Sequence, residues 1–122
     1  MSKQMSFSKI ENTILPEFRN KINHAESTED LKKFFIYSVQ DVFNHVFSGK
    51  KMTFDFDDIS MLPDSEPHYQ LGKRLLASKD FMEVWNESDL PQVIGRLANT
   101  AAKHHTRLGK NPGKTEAKIR MG

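Results

Sequence analysis

Residues 27–49, STEDLKKFFIYSVQDVFNHVFSG, decide the fold. Leu31, Phe34, Phe35, Ser38, Val42 and Val46 recur every three or four positions, the repeat of an α-helix with one face turned inward. Val39, Phe43 and Phe47 widen that stripe, and Ile36 and Tyr37 add to its flanks, so the helix is expected to gather the rest of the chain around it. Its ends are marked. Ser27 can accept a hydrogen bond from the backbone N–H of Asp30, while Glu29 and Asp30 put negative charge at the positive end of the helix dipole. Gly49 can close the helix in a left-handed conformation. About 21 residues at about 1.5 Å each give a rod of roughly 30 Å, the width of a small domain.

On the amino-terminal side, residues Met1 to Ser6 are expected to fray. Phe7, Ile10, Ile14, Leu15, Phe18 and Ile22 then follow helical spacing across Pro16. Proline lacks an N–H and crowds the preceding turn, so one bent helix from Ser8 to about His24 is expected. The short link Ala25–Glu26 makes the two helices antiparallel neighbours.

On the other side, Met52, Phe54 and Phe56 alternate with Thr53, Asp55 and Asp57. No second alternating run offers a partner strand, so this is read as an extended segment laid across the helices. Asp57, Asp58 and Asp64 with Pro63 and Pro67 mark a loop, with a single helical turn at Ile59–Leu62. A third helix from Ser65 through Ala77 would turn Leu71, Leu75 and Leu76 inward, with Pro67 in its first turn. Ser78 caps a fourth, Lys79 to Glu87, with Phe81, Val84 and Trp85 on one side. Ser88 or Asp89 caps the last, whose stripe of Leu90, Val93, Ile94, Leu97, Ala101 and Leu108 ends at Gly109. The expected architecture is all-α: a compact bundle of four to five helices over residues 1–109, one short extended segment near residues 52–56, and a flexible basic C-terminal arm at 110–122.

Charge separates these parts. Six cations lie between Lys103 and Gly122 (Lys103, Arg107, Lys110, Lys114, Lys118 and Arg120) against the single acid Glu116, a net of +5; the other 102 residues hold 12 basic and 15 acidic side chains, a net of −3. A basic arm on an acidic body is suited to phosphates, whether of DNA or RNA. The absence of cysteine excludes disulfides, thiolate catalysis and cysteine-ligated zinc. No segment resembles a signal peptide or reaches the length of a membrane span, so a cytoplasmic protein without a membrane partner is expected.

The remaining candidates for chemistry lack their partners. GKNPGKT, residues 109–115, has Leu108 where a phosphate loop needs glycine, and no strand precedes it. The acidic residues Asp55, Asp57, Asp58, Asp64 and Glu66 lack the glycine and spacing of a calcium loop, and are expected to cap the following helices and stay solvated, or to pair loosely with the basic arm. His104 and His105, adjacent on a helix, point about 100° apart. His45 is expected to be half-buried with one hydrogen bond. No nucleophile stands at a recognisable spacing from a base. The sequence therefore predicts a small non-enzymatic regulatory or adaptor protein that needs no cofactor or metal and contacts nucleic acid through its basic carboxyl end. The alternative is a protein-binding module or homodimer built on an apolar aromatic surface of Phe54, Phe56, Phe81 and Trp85.

Overall fold

A computed structural model describes residues 6–49 and 52–110. Five α-helices carry the chain: α1 (Ser8–Asn23), α2 (Thr28–Val46), α3 (Lys73–Leu76), α4 (Lys79–Asn86) and α5 (Leu90–Lys110). Between α2 and α3 lie a 3-10 turn, Phe56–Asp58, and two short strands, β1 (Ile59–Met61) and β2 (Tyr69–Leu71). The bundle is mostly helical, as the apolar spacing requires.

Helix α2 is the centre. Leu31, Phe35, Val39, Val42, Phe43 and Phe47 are at most 2% exposed, and α2 packs on α1, α5 and β1. Ser27 caps it, accepting from Asp30 N–H at 3.0 Å. The helix closes earlier than its glycine suggests, with the Phe47 N–H bonded to Phe43 O at 2.9 Å and Gly49 lying beyond in a turn. Tyr37 departs from expectation: it is 49% exposed, because its place in the helical repeat is opposite Leu31, Val39 and Val42. His45 is also exposed rather than half-buried, with Nδ1 on Asp41 O at 2.8 Å.

Helix α1 runs unbroken through Pro16 and buries Ile14, Phe18 and Ile22. Ser6 does not fray. Its hydroxyl donates to Asp89 Oδ2 at 3.1 Å, and the Phe7 N–H donates to Asp89 Oδ1 at 2.8 Å, so the start of α1 is tied to the start of α5. The expected fraying of residues 1–5 lies outside the described residues.

The segment between α2 and α4 corrects the sequence reading most. In place of a helical turn at 59–62 and a helix from 65 to 77, there is an antiparallel hairpin with register Ile59↔Leu71, Ser60↔Gln70 and Met61↔Tyr69. Burial alternates along β1, with Ile59 and Met61 inside and Ser60 outside. The connection folds on itself through Leu62 N–H to His68 O at 2.8 Å and His68 N–H to Ser65 O at 2.7 Å; the Glu66–Pro67 bond is cis and His68 has φ 77°. The hairpin then meets the preceding turn at Gly72, whose N–H donates to Asp58 O at 2.7 Å. A Cβ at Gly72 would lie 3.1 Å from Asp57 O and 3.3 Å from Asp58 Cα, so a side chain here would push that backbone back by a few tenths of an ångström. Only α3, a single turn, remains of the expected helix. Leu71 and Leu75 do face inward, but Leu76 is 53% exposed.

Ser78 caps α4 as expected, accepting from Phe81 N–H at 3.2 Å. Ser88 joins α4 to α5: its hydroxyl donates to Val84 O at 2.6 Å and accepts from Leu90 N–H at 3.2 Å. Helix α5 does not end at Gly109 but runs to Lys110. Of the flexible arm expected at 110–122, Lys110 belongs to α5 and residues 111–122 lie outside the described residues.

Candidate nucleic-acid interface

Helix α5 contains no aspartate or glutamate in its 21 residues. Its inner side is apolar and closed: Leu90, Val93, Ile94, Leu97, Ala98 and Ala101 are at most 1% exposed. At about 100° per residue, Gln92, Arg96, Asn99, Lys103 and Arg107 fall on the opposite side, and all five are exposed. The outer face is thus a row of amides and cations, because the residues that fit the core used up the apolar positions.

Two of its polar groups are held from α1. Arg96 donates through Nε to Glu11 Oε2 at 2.7 Å and through Nη2 to Glu11 Oε1 at 2.8 Å. Glu11 is 7% exposed, so this two-pronged contact compensates a buried charge. The Glu11 hydrogen bonds raise the Arg96 pKa; partial burial opposes them, and the charges of Glu11 and Asp89 add to them. Next to Lys103, His104 contacts Thr100 O through Nδ1 at 3.1 Å and Asn23 Oδ1 through Nε2 at 3.0 Å. These contacts run from Asp89 to His104 along α5 and from Phe7 to Asn23 along α1, so the two helices are parallel and their carboxyl ends lie at the same end of the molecule. Arg96 is thus paired with Glu11, and the other three cations in the sequence of α5, Lys103, Arg107 and Lys110, all follow it.

Of the six cations expected to make contact, Lys103 and Arg107 lie on this outer face and Lys110 ends the helix; Lys114, Lys118 and Arg120 lie outside the described residues. The four aromatic residues expected to form a partner surface separate. Phe81 is fully buried and Phe54 is 9% exposed. They pack with Phe43 and Phe47, with ring centroids between 5.0 and 6.4 Å apart. Trp85 is half-buried, stacked on Phe81 at 5.5 Å and edge-on to Tyr69 at 6.1 Å. Phe56 alone is on the outside, 41% exposed, and its neighbour is Tyr37, edge to face at 5.7 Å. The surface expected around Trp85 is therefore core, because α4 docks its apolar side on α2 and the extended segment.

In the acidic loop Asp55 and Asp58 cap the 3-10 turn, as expected, but Asp58 is buried rather than solvated. Asp58, 5% exposed, accepts from Asp55 N–H at 2.7 Å and from Arg74 Nε at 3.0 Å, and a second Arg74 nitrogen, Nη2, bridges it to Thr53 O. Burial by itself pushes the Asp58 carboxyl up. The hydrogen bonds from Arg74 and Asp55 and the Arg74 charge outweigh it and leave Asp58 below the usual carboxylate range. Among the described residues its charged partner is Arg74. Among the described residues no three histidine, aspartate or glutamate side chains are placed to hold a metal ion.

An open groove of about 370 Å³ between α1 and α2 is lined by Glu17, Lys21, Tyr37, Gln40, Asp41 and Asn44. Its polar groups are mostly engaged with neighbours. Lys21 is 3.8 Å from Glu17, His45 is 3.6 Å from Asp41, and Gln40 donates to Phe54 O at 2.9 Å. No protein family model matches this chain, and no curated protein or solved structure matches it.

Proposed function

We propose that this protein is a small non-enzymatic regulatory or adaptor module that contacts nucleic acid through the outer face of α5 and the basic segment that follows it. The observation that supports this reading is the composition of α5: 21 residues without an acid, apolar side buried, with Lys103 and Arg107 displayed on the solvent side toward its carboxyl end. A cationic surface on an otherwise acidic body concentrates polyanions, and each phosphate contact releases a condensed counterion.

The test is a gel shift at low salt with a labelled duplex. The chain should retard the duplex; truncation after Leu108 or the pair Lys103→Glu and Arg107→Glu should abolish the shift while circular dichroism stays helical. Retention unchanged by both alterations overturns the reading.

A second reading, contact with a protein partner or a second copy, is favoured by one observation: Tyr37 and Phe56 expose two aromatic rings in mutual contact. Light scattering from micromolar to millimolar protein and a pull-down, each with Phe56→Ala as the control, test it. A strict monomer that retrieves no partner counts against it.

A further inference from the structure

From the side chains that the outer face of α5 displays, and from those it lacks, we infer that its partner is a duplex, held by its phosphate backbone without readout of base sequence; this rests on the proposed nucleic-acid contact. Four observations converge. First, α5 carries no phenylalanine, tyrosine or tryptophan, and its two imidazoles, His104 and His105, are half-buried and lie off the outer face, so that face has no large ring to stack on unpaired bases, the contact on which single-strand binding depends. The two exposed rings, Tyr37 and Phe56, belong to α2 and the 3-10 turn, and Tyr37 lines the groove between α1 and α2 instead.

Second, of the two arginines on the outer face, Arg96 already spends Nε and Nη2 on Glu11, so at most one, Arg107, can make a two-pronged hydrogen bond with guanine. Lys103 is a point charge that suits a phosphate oxygen and distinguishes bases poorly. Third, α5 is flanked by α1, α2 and α4, which pack against it. Their packing leaves only the outer face for a groove, and the first turns of that face, from which a recognition helix reads bases, carry Gln92 and no cation before Arg96. Fourth, the apolar side of α5 is fully committed to the core, which leaves nothing to insert into a lipid surface and no apolar anchor for the centre of a protein interface. A rigid row of amides and cations, from Arg96 to Arg107 about 17 Å long at about 1.5 Å per residue, fits a rigid polyanion of even charge.

The experiment is fluorescence anisotropy on the full chain with four probes: two 20-base-pair duplexes of unrelated sequence, the single strand of one of them, and vesicles of phosphatidylcholine with phosphatidylserine. The expected result is duplex binding about tenfold or more tighter than the single strand, a ratio between the two duplexes below about threefold, and no vesicle binding. Single-strand affinity equal to or above duplex affinity overturns the inference while leaving the nucleic-acid reading intact, as does a sequence preference above about tenfold. Binding to vesicles alone, or to none of the probes, overturns both.

Discussion

Replacing Asp58 by asparagine tests the electrostatic account of the segment between α2 and α4. The carboxylate is almost wholly buried and accepts three side-chain bonds, from Asp55 N–H and from two nitrogens of Arg74. An asparagine of the same shape keeps one acceptor, turns an N–H toward Arg74, and removes the charge that the guanidinium faces. Hydrogen bonds to charged groups contribute about 1.5–3 kcal/mol each when buried. Half of the Arg74 side chain is in water, which screens the pair, so the loss should be about 2 kcal/mol rather than the sum. For a chain of this length that corresponds to a melting temperature lower by about 8 °C.

The pH dependence carries the sign. The folded-state pKa of Asp58 is lowered, so its contribution is complete above the unfolded value of about 3.9 and is lost as pH falls through the folded value. Urea unfolding of the wild type and Asp58→Asn should therefore differ by a constant amount from pH 7 to about pH 5, with the gap closing below about pH 4. Arg74→Met should cost a similar amount at pH 7, and the double variant less than the sum of the two. A gap below about 0.5 kcal/mol at pH 7, or one that persists undiminished into acid, refutes the reasoning.

Other substitutions sort core from surface. Phe81→Ala should cost about 3–5 kcal/mol in urea unfolding, since the ring is fully buried among Phe43, Phe47 and Trp85, whereas Phe56→Ala should cost less than about 1 kcal/mol. Glu11→Gln should lower stability by about 1–2 kcal/mol, read in the same assay, because one prong of its contact with Arg96 is lost in a buried site. Gly72→Val should cost about 1–3 kcal/mol, since its Cβ meets the backbone of Asp57 and Asp58; a melting temperature equal to that of the wild type would mean that the hairpin does not sit so close. For the proposed duplex contact, log K plotted against log salt should fall with a slope of about −4 to −5 if the five net charges from Lys103 onward reach phosphates, and with about half that slope after truncation past Leu108 if residual binding is measurable.

How much of this was legible in the sequence depends on how far apart the partners stand. The spacing of Leu31, Phe35, Val39 and Val42 repeats within a few residues and yields α2, and the same holds for the stripes of α1, α4 and α5. The caps at Ser27 and Ser78 each join residues three apart, and both form as expected. The cations Lys103 and Arg107 could be placed on an outer face because helical register alone decides it. The hairpin was not legible. Strands of three residues are too short to display a period of two, and Leu71, Leu75 and Leu76 imitate a helical stripe across it.

The tertiary structure decided the rest because the decisive contacts join distant positions. Glu11 meets Arg96 across 85 residues, Ser6 meets Asp89 across 83, and Asp58 meets Arg74 across 16. Whether Phe81 and Trp85 are surface or core likewise depends on what covers them, and a helix with an apolar side does not record which neighbour will lie there. Local periodicity, set by the backbone hydrogen bonds of a helix, is written in the chain. The pairing of buried charges and the burial of rings arise only when the elements compete for the same interior, and that competition put Phe54 and Phe81 inside and left Tyr37 and Phe56 in water.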